Sequence, residues 1–186
     1  MRIGIFGGTF NPIHWGHLLL AETAREQLRL DRVLFIPTSQ PPHKRAADLL
    51  PGALRVKLIQ LAIRDHPAFT ASDIELQRGG VSYSIETVRV LRRRLPSAKL
   101  FLLVGQDMLS VRWVGWEQLT RLCTVVVAKR SGAAAGRRIR GAVSLAMPQV
   151  DISSSDIRRR LKAGASIRYL VHPAVARYLQ RNEVQR

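Results

Sequence analysis

Two stretches of this chain carry side chains whose types and spacing suit work on an anionic substrate. The first is Gly7-Gly8-Thr9-Phe10-Asn11-Pro12-Ile13-His14-Trp15-Gly16-His17, which follows directly on the apolar run Ile3-Gly4-Ile5-Phe6. Glycines just after the first strand of a parallel sheet let the backbone approach a phosphate at the N-terminus of the next helix. The spacing is not the G-x-G-x-x-G dinucleotide fingerprint, nor is it a P-loop, since no Gly-Lys-Ser/Thr follows. His14 and His17, three apart at a helix start, lie on one side of it, with Gly16 leaving space between them. Imidazoles so placed donate hydrogen bonds to phosphate oxygens without a permanent charge. Zinc is not expected, because no third ligand sits at a telling spacing.

The second stretch is Ile152-Ser153-Ser154-Ser155-Asp156-Ile157-Arg158. Ser153 and Asp156 match a capping box, so a helix opens here on local grounds alone. Arg158 is not needed by that cap. It lies one turn into the helix, where a guanidinium can reach past the N-terminus. With the serine hydroxyls and unpaired backbone N–H groups it makes a cradle for a polyphosphate.

These residues must be positioned by the rest of the fold, and the pattern behind them alternates short apolar strands with amphipathic helices. Strands are expected at Arg2–Phe6, Arg32–Pro37, Phe69–Ile74, Lys99–Val104, Thr124–Ala128 and about Val143–Ala146. Helices are expected at about Trp15–Arg29, Leu54–Asp65 and Ser84–Leu95, with two more at Ser154–Lys162 and Pro173–Gln180. Strands apolar on both faces belong to parallel sheets covered by helices, so the expected class is α/β, a doubly wound parallel sheet with a small C-terminal helical segment. All 186 residues are read as one domain, with the core in 1–150 and the helical part in 151–186. Thr38–Leu50, polar and with two adjacent prolines, is a candidate binding loop. Ser131–Gly141, rich in Ala, Gly and Arg, is a connection without an assigned task.

Composition narrows the classes of function. There are 30 basic and 13 acidic residues, a net charge of +17, and 25 of the cations are arginine. Such a charge invites nucleic acid, but aromatics make up only 6% of the chain and do not interleave with the arginine clusters. No base-stacking platform is visible, and a cationic surface or an anionic small substrate is the preferred reading. A single cysteine, Cys123, excludes an internal disulfide framework. No apolar run is long enough for a bilayer and no secretory segment opens the chain, so no membrane partner is expected and the compartment is read as cytoplasmic.

The first stretch resembles the GGTF-(D/N)-P-x-H-x-G-H signature of the nucleotidyltransferase superfamily with the HxGH motif, and Ile152–Arg158 resembles its partner, ISSTxIR. Pro41-Pro42-His43-Lys44, Ser82-Tyr83-Ser84 with Thr87, Gly105-Gln106-Asp107, and Trp113 with Trp116 resemble, in order, the markers of the bacterial nicotinate-nucleotide adenylyltransferase family. The resemblance covers essentially the whole chain. Asn11 stands where many members have Asp, Ser84 for the more usual Thr, and Ser155 for Thr; each keeps a comparable polar group.

The resemblance implies a Rossmann-like fold and adenylyl transfer from ATP to nicotinate mononucleotide, giving deamido-NAD and pyrophosphate. It implies that His14 and His17 act on the α/β-phosphate oxygens, and that Arg158 with Ser153 and Ser154 holds the β/γ-phosphates. Lys44 would neutralise the reacting phosphates of either substrate. ATP is expected on Gly7, Gly8, Thr9, Phe10, Gly16, Gly105, Asp107 and Ile152 as well, with Gly105 and Asp107 toward the adenosine. Asp107 also has a plainer reading as a helix cap. Tyr83, Ser84 and Trp113 resemble the acceptor site, an indole face stacking on the pyridine ring; Trp113 and Trp116 also read as core aromatics. Mg²⁺ is expected through substrate phosphates and water rather than a protein site. A homo-oligomer is left open. Acceptors weighed beside nicotinate mononucleotide are its amide analogue and phosphopantetheine, and a nonspecific nucleic-acid binder is the reading from another class. His66 and His172 read as surface or capping residues, and Cys123 as structural.

Overall fold

The computed structural model of the chain describes residues 1–41, 49–105, 113–130, 141–148 and 150–182. Within them the expected strands form β1 (Arg2–Gly8), β2 (Arg32–Pro37), β3 (Phe69–Ala71), β4 (Lys99–Gly105), β5 (Thr124–Arg130) and β6 (Ala142–Met147). All pair in parallel, in the order β3-β2-β1-β4-β5-β6. The order reverses between β1 and β4, the switch point where open α/β sheets bind ligands beyond their carboxyl ends.

The period-2 alternation of each strand sends its side chains to two separate cores. Phe6, Phe35, Leu103 and Val126 point to one face. Ile5, Ile36, Leu102, Val104, Val125 and Val127 point to the other. The first face is covered by α1 (Trp15–Gln27), α2 (Gly52–Ile63), α6 (Ser154–Lys162) and α7 (Pro173–Arg181). The second is covered by α4 (Ser84–Arg94) and α5 (Trp116–Leu122), through Ile85, Val88, Leu91 and Leu119. This is the doubly wound α/β arrangement expected. Ile157, Ile167, Val171, Val175 and Leu179 of the C-terminal segment are buried in the same cluster as Phe6 and Leu103. No described helix is long and apolar enough to cross a membrane.

Two elements were not anticipated. The expected strand over Phe69–Ile74 stops at Ala71, and Ile74–Arg78 forms a short helix, α3, ended by Gly79 at φ +70°. Trp116–Leu122 is a seven-residue helix, too short to show periodicity. The first helix ends before the expected Arg29, which adopts φ +48° and cannot continue an α-helix.

Candidate functional site

The chain leaves β1 at the switch point and turns through Phe10 (φ +45°) into α1, with His14 as N-cap in extended conformation. The two histidines meet across the cap. The backbone N–H of His14 donates to Nδ1 of His17 (3.2 Å), and the ring centroids are 3.8 Å apart. Because Nδ1 of His17 accepts, its neutral ring carries the proton on Nε2. His17 stands edge-on to Phe10, centroids 5.0 Å apart. His14 is only 8% exposed, and its Nδ1 makes no full hydrogen bond to a described residue. Burial pushes its pKa down to about 4, so the ring is neutral at physiological pH. Gly16 lets the His14 ring approach closely: a Cβ there would lie 3.2 Å from its Cε1 and Nδ1, tighter than an ordinary van der Waals contact.

The carbonyls of this loop are engaged one after another by donors from other elements. Gly8 O accepts from Thr38 N–H (2.9 Å) at the end of β2. Thr9 O accepts from Arg55 Nη1 (3.0 Å) of α2. Asn11 O accepts from Arg158 Nη1 (3.0 Å), and Pro12 O from the Ser154 hydroxyl (2.9 Å), both of α6. The buried Asn11 side chain accepts from Leu50 N–H (2.9 Å), tying the approach to α2 to the same loop. The two sequence motifs, separated by more than 130 residues, are thus in direct contact.

At the start of α6, Ser153 Oγ accepts from Asp156 N–H (3.0 Å) as an N-cap. The run Arg158-Arg159-Arg160 divides by direction. Arg159 pairs with Asp156, Arg160 donates to Ser166 O (2.7 Å), and Arg158 alone of the three turns to the glycine-rich loop. Ile152 is half-buried against the first core.

Gly105 ends β4 at the same sheet edge as Gly8, two residues beyond the Phe6–Leu103 register pair. On that side of the sheet Tyr83 is the N-cap of α4 and 36% exposed, and Ser84 opens the helix. This segment is laced to the end of β2: Ser39 N–H donates to Ser82 Oγ, and Ser82 N–H donates to Gln40 O (both 3.0 Å). Beneath it lies buried Glu75, whose carboxylate accepts from the Thr87 hydroxyl (2.6 Å). Burial raises its pKa, while hydrogen bonds from Thr87 and Ser82 and the charge of Arg78 oppose that rise.

Trp113 and Trp116 are both half-buried against the second core and meet edge to face at 5.7 Å. Gly115, at φ +67°, sits so close to Ile85 that a Cβ would be 3.3 Å from its Cγ1, and Gln118 meets Arg89 one turn on. That register sets the start of α5, on which Trp113 packs through Trp116, beside the first turn of α4, which Ser84 opens. Lys44 and Asp107, with Pro42, His43 and Gln106, lie outside the described residues, as does 131–140.

Two buried ionisable residues escaped the sequence reading, Arg55 and Glu75. Arg55 had a legible signal, since it stands three and four residues before Leu58 and Ile59 on the buried face of α2. His172 caps α7, accepting from Ala174 N–H (3.2 Å). His66 contacts Glu22 (2.9 Å) and stacks on Phe69. Cys123, 7% exposed, donates to Leu119 O, and burial raises its pKa to about 11.

A cytidylyltransferase-like family model matches residues 5–160. A protein of Thermus thermophilus named "Probable nicotinate-nucleotide adenylyltransferase" is 43% identical, with 100% of each chain covered. One of the same name from a Synechococcus species is 43% identical over 98% of this chain and 94% of its own. Among solved structures, the Plasmodium falciparum nicotinic acid mononucleotide adenylyltransferase complexed with NaAD superposes with a TM-score of 0.82. It is 16% identical and covers 99% of this chain and 97% of its own, a likeness of fold.

Proposed function

This chain belongs to the cytidylyltransferase-like family, among the nicotinate-nucleotide adenylyltransferases, and on that premise we propose that it transfers the adenylyl group of ATP to nicotinate mononucleotide. The products are deamido-NAD and pyrophosphate, a step of NAD biosynthesis. The observation that carries the reading is the docking of the α6 N-terminus on the glycine-rich loop through Arg158 and Ser154.

A phosphate oxygen of the acceptor attacks the α-phosphorus in line. A P–O bond forms on one side as the bond to the leaving pyrophosphate breaks on the other, the electron pair departing with pyrophosphate. No nucleophilic side chain is required. Catalysis consists of positioning the reactants and stabilising charge as it shifts.

Each residue then has a task. Neutral His14, together with His17, the α1 N-terminus and the backbone of Gly7, Gly8, Thr9 and Phe10, meets the α/β-phosphates; Gly16 admits the His14 ring. Arg158, Ser153 and Ser154 hold the β/γ-phosphates, with Ile152 packed behind them. Gly105 and Asp107 take the adenosine side, and Lys44 neutralises the reacting phosphates. Tyr83, Ser84 and Trp113 receive the acceptor, its carboxylate on backbone N–H groups at the start of α4. Among the described residues no three His, Cys, Asp or Glu side chains converge as metal ligands. We assign Mg²⁺ to Mg-ATP, carried on phosphate oxygens and water, as is usual for an ion that keeps most of its hydration shell. We read the compartment as cytoplasmic.

The test is a panel of acceptors with purified protein and Mg-ATP, following pyrophosphate release and identifying the dinucleotide. Nicotinate mononucleotide is expected to exceed its amide analogue at least about tenfold in kcat/KM, because an amide NH₂ would face backbone donors. A preference for the amide or for phosphopantetheine would overturn the assignment.

A further inference from the structure

Arg55 is the largest fully buried side chain among the described residues, 2% exposed. Among the described residues its hydrogen-bond partners are three backbone carbonyls: Nε donates to Leu50 O (3.0 Å), and Nη1 is shared between Thr9 O (3.0 Å) and Thr38 O (2.8 Å). Enclosing a guanidinium is costly, and its hydrogen bonds to carbonyls must offset the lost hydration. Burial accordingly lowers its pKa, although the negative charge of Glu75 acts against that through space. An apolar residue in register with Leu58 and Ile59 would fill this place without that cost, as the same face of α2 does at each following turn.

The three carbonyls belong to three separate places: the glycine-rich loop, the end of β2 and the approach to α2. Thr9 is the informative one. The Thr9–Phe10 peptide is trans, since Asn11–Pro12 is the cis bond of the described chain. In a trans peptide the carbonyl and the following N–H point in opposite directions. Holding Thr9 O against α2 therefore turns the Phe10 N–H the other way. It also withdraws a carbonyl dipole that would otherwise repel a bound anion. Arg158 and Ser154 likewise withdraw the carbonyl dipoles of Asn11 and Pro12, but both also serve the phosphate cradle. Arg55 is buried, so it acts on the loop from behind without itself contacting the phosphates.

We propose that Arg55 is a positioning residue for the nucleotide: from within the core it fixes the Thr9–Phe10 peptide so that the loop presents N–H rather than C=O to the ATP phosphates. The proposal rests on the adenylyltransferase reading, and its failure is distinguishable from failure of that reading.

Lysine keeps the charge but offers a single nitrogen on a stem that cannot span Nε and Nη1 together. Wild-type activity is established first; its absence would fail the function and leave the loop geometry to the structural arm below. With activity in hand, a folded Arg55→Lys variant is expected to lose tenfold or more in kcat/KM for ATP, carried mainly by KM. Its KM for nicotinate mononucleotide should stay within about twofold. A displaced loop of about an ångström is enough for such a loss. A residue that only stabilises the fold would lower the active fraction, and with it kcat, and leave both KM values alone; that result, or wild-type kinetics, overturns the proposal. The second arm needs no variant. In a structure of the intact protein with a non-hydrolysable ATP analogue, Phe10 N–H should meet a phosphate oxygen while Thr9 O remains on Arg55. A Thr9 carbonyl facing the phosphates, or a Phe10 N–H facing none, overturns the proposal whether or not Arg55→Lys folds.

Discussion

The two halves of the candidate site are built differently. The nucleotide half, Gly7–His17 with the start of α6, is held from several directions at once: Thr38, Arg55, Arg158 and Ser154 each take one of its carbonyls, and His14 is buried at its helix cap. The acceptor half, Tyr83 and Ser84 with Trp113, is fixed beneath its surface, through Ser82 and Glu75, while Tyr83 itself is 36% exposed and Trp113 half-buried. The half assigned to bond making and breaking is thus rigid before substrate arrives. The half assigned to choosing the acceptor shows its aromatic surface to solvent. Rigidity is concentrated where donors must already be aimed, since electrostatic stabilisation is strongest when no reorganisation is needed.

The largest consequence concerns His17. Removing a donor aimed at the reacting phosphate in His17→Ala should lower kcat by about 10²–10³, with a much smaller change in KM for ATP. Steady-state kinetics at saturating acceptor check this; a variant with near-normal kcat and only a raised KM would make the histidine a binding group.

His14 gives the next effect, read in stability rather than rate. Its pKa is about 4 when folded, against 6.5 when exposed. Between those values the unfolded chain binds more protons, so the contribution is complete above about pH 6.5 and is lost as pH falls toward 4. The loss amounts to about 3 kcal/mol over that window. Denaturant unfolding of wild type and His14→Ala from pH 7 to pH 4 isolates it: the wild type should lose more stability than the variant. Equal slopes would mean the ring is not desolvated.

Arg158→Lys comes third. It keeps the charge and loses the planar fork that Arg158 directs at the glycine-rich loop, so kcat/KM for ATP should fall about tenfold to a hundredfold. Acceptor affinity, measured alone by calorimetry, should hardly change. Wild-type kinetics would return Arg158 to the solvated cationic surface shared with Arg159.

The smallest effect is on the acceptor side. Trp113→Ala should raise KM for nicotinate mononucleotide about tenfold, the scale of one lost stacking contact with its buried area, and leave KM for ATP unchanged. An equal rise in both would merge the two halves and end the comparison.

The sequence made the nucleotide half legible because its requirements are local. A glycine turn after an apolar strand, two histidines at a cap and a Ser-Ser-Ser-Asp helix start each carry their meaning in adjacent residues. The alternation of strands and helices likewise sufficed for the doubly wound sheet. What it did not reveal depends on distance. Arg55 looks like one of 25 arginines until its place among Leu58 and Ile59 is noticed, and nothing local says that it grips Thr9. Glu75 sits just past the expected strand, in a stretch to which the pattern assigns no element, and its burial follows from a five-residue helix that has no periodic signature. The separate directions of Arg158, Arg159 and Arg160 are set by α6 meeting a loop more than 130 residues earlier.

Transfer in a single in-line step on this prearranged loop is the central claim. The decisive measurement is the stereochemical course with an ATP analogue made chiral by sulfur at the α-phosphorus, nicotinate mononucleotide being the acceptor. A single direct displacement predicts inversion at phosphorus in the dinucleotide product. Retention would require two displacements through a covalent adenylyl-enzyme, and would contradict the assignment of His14 and His17 as hydrogen-bond donors to the reacting phosphates.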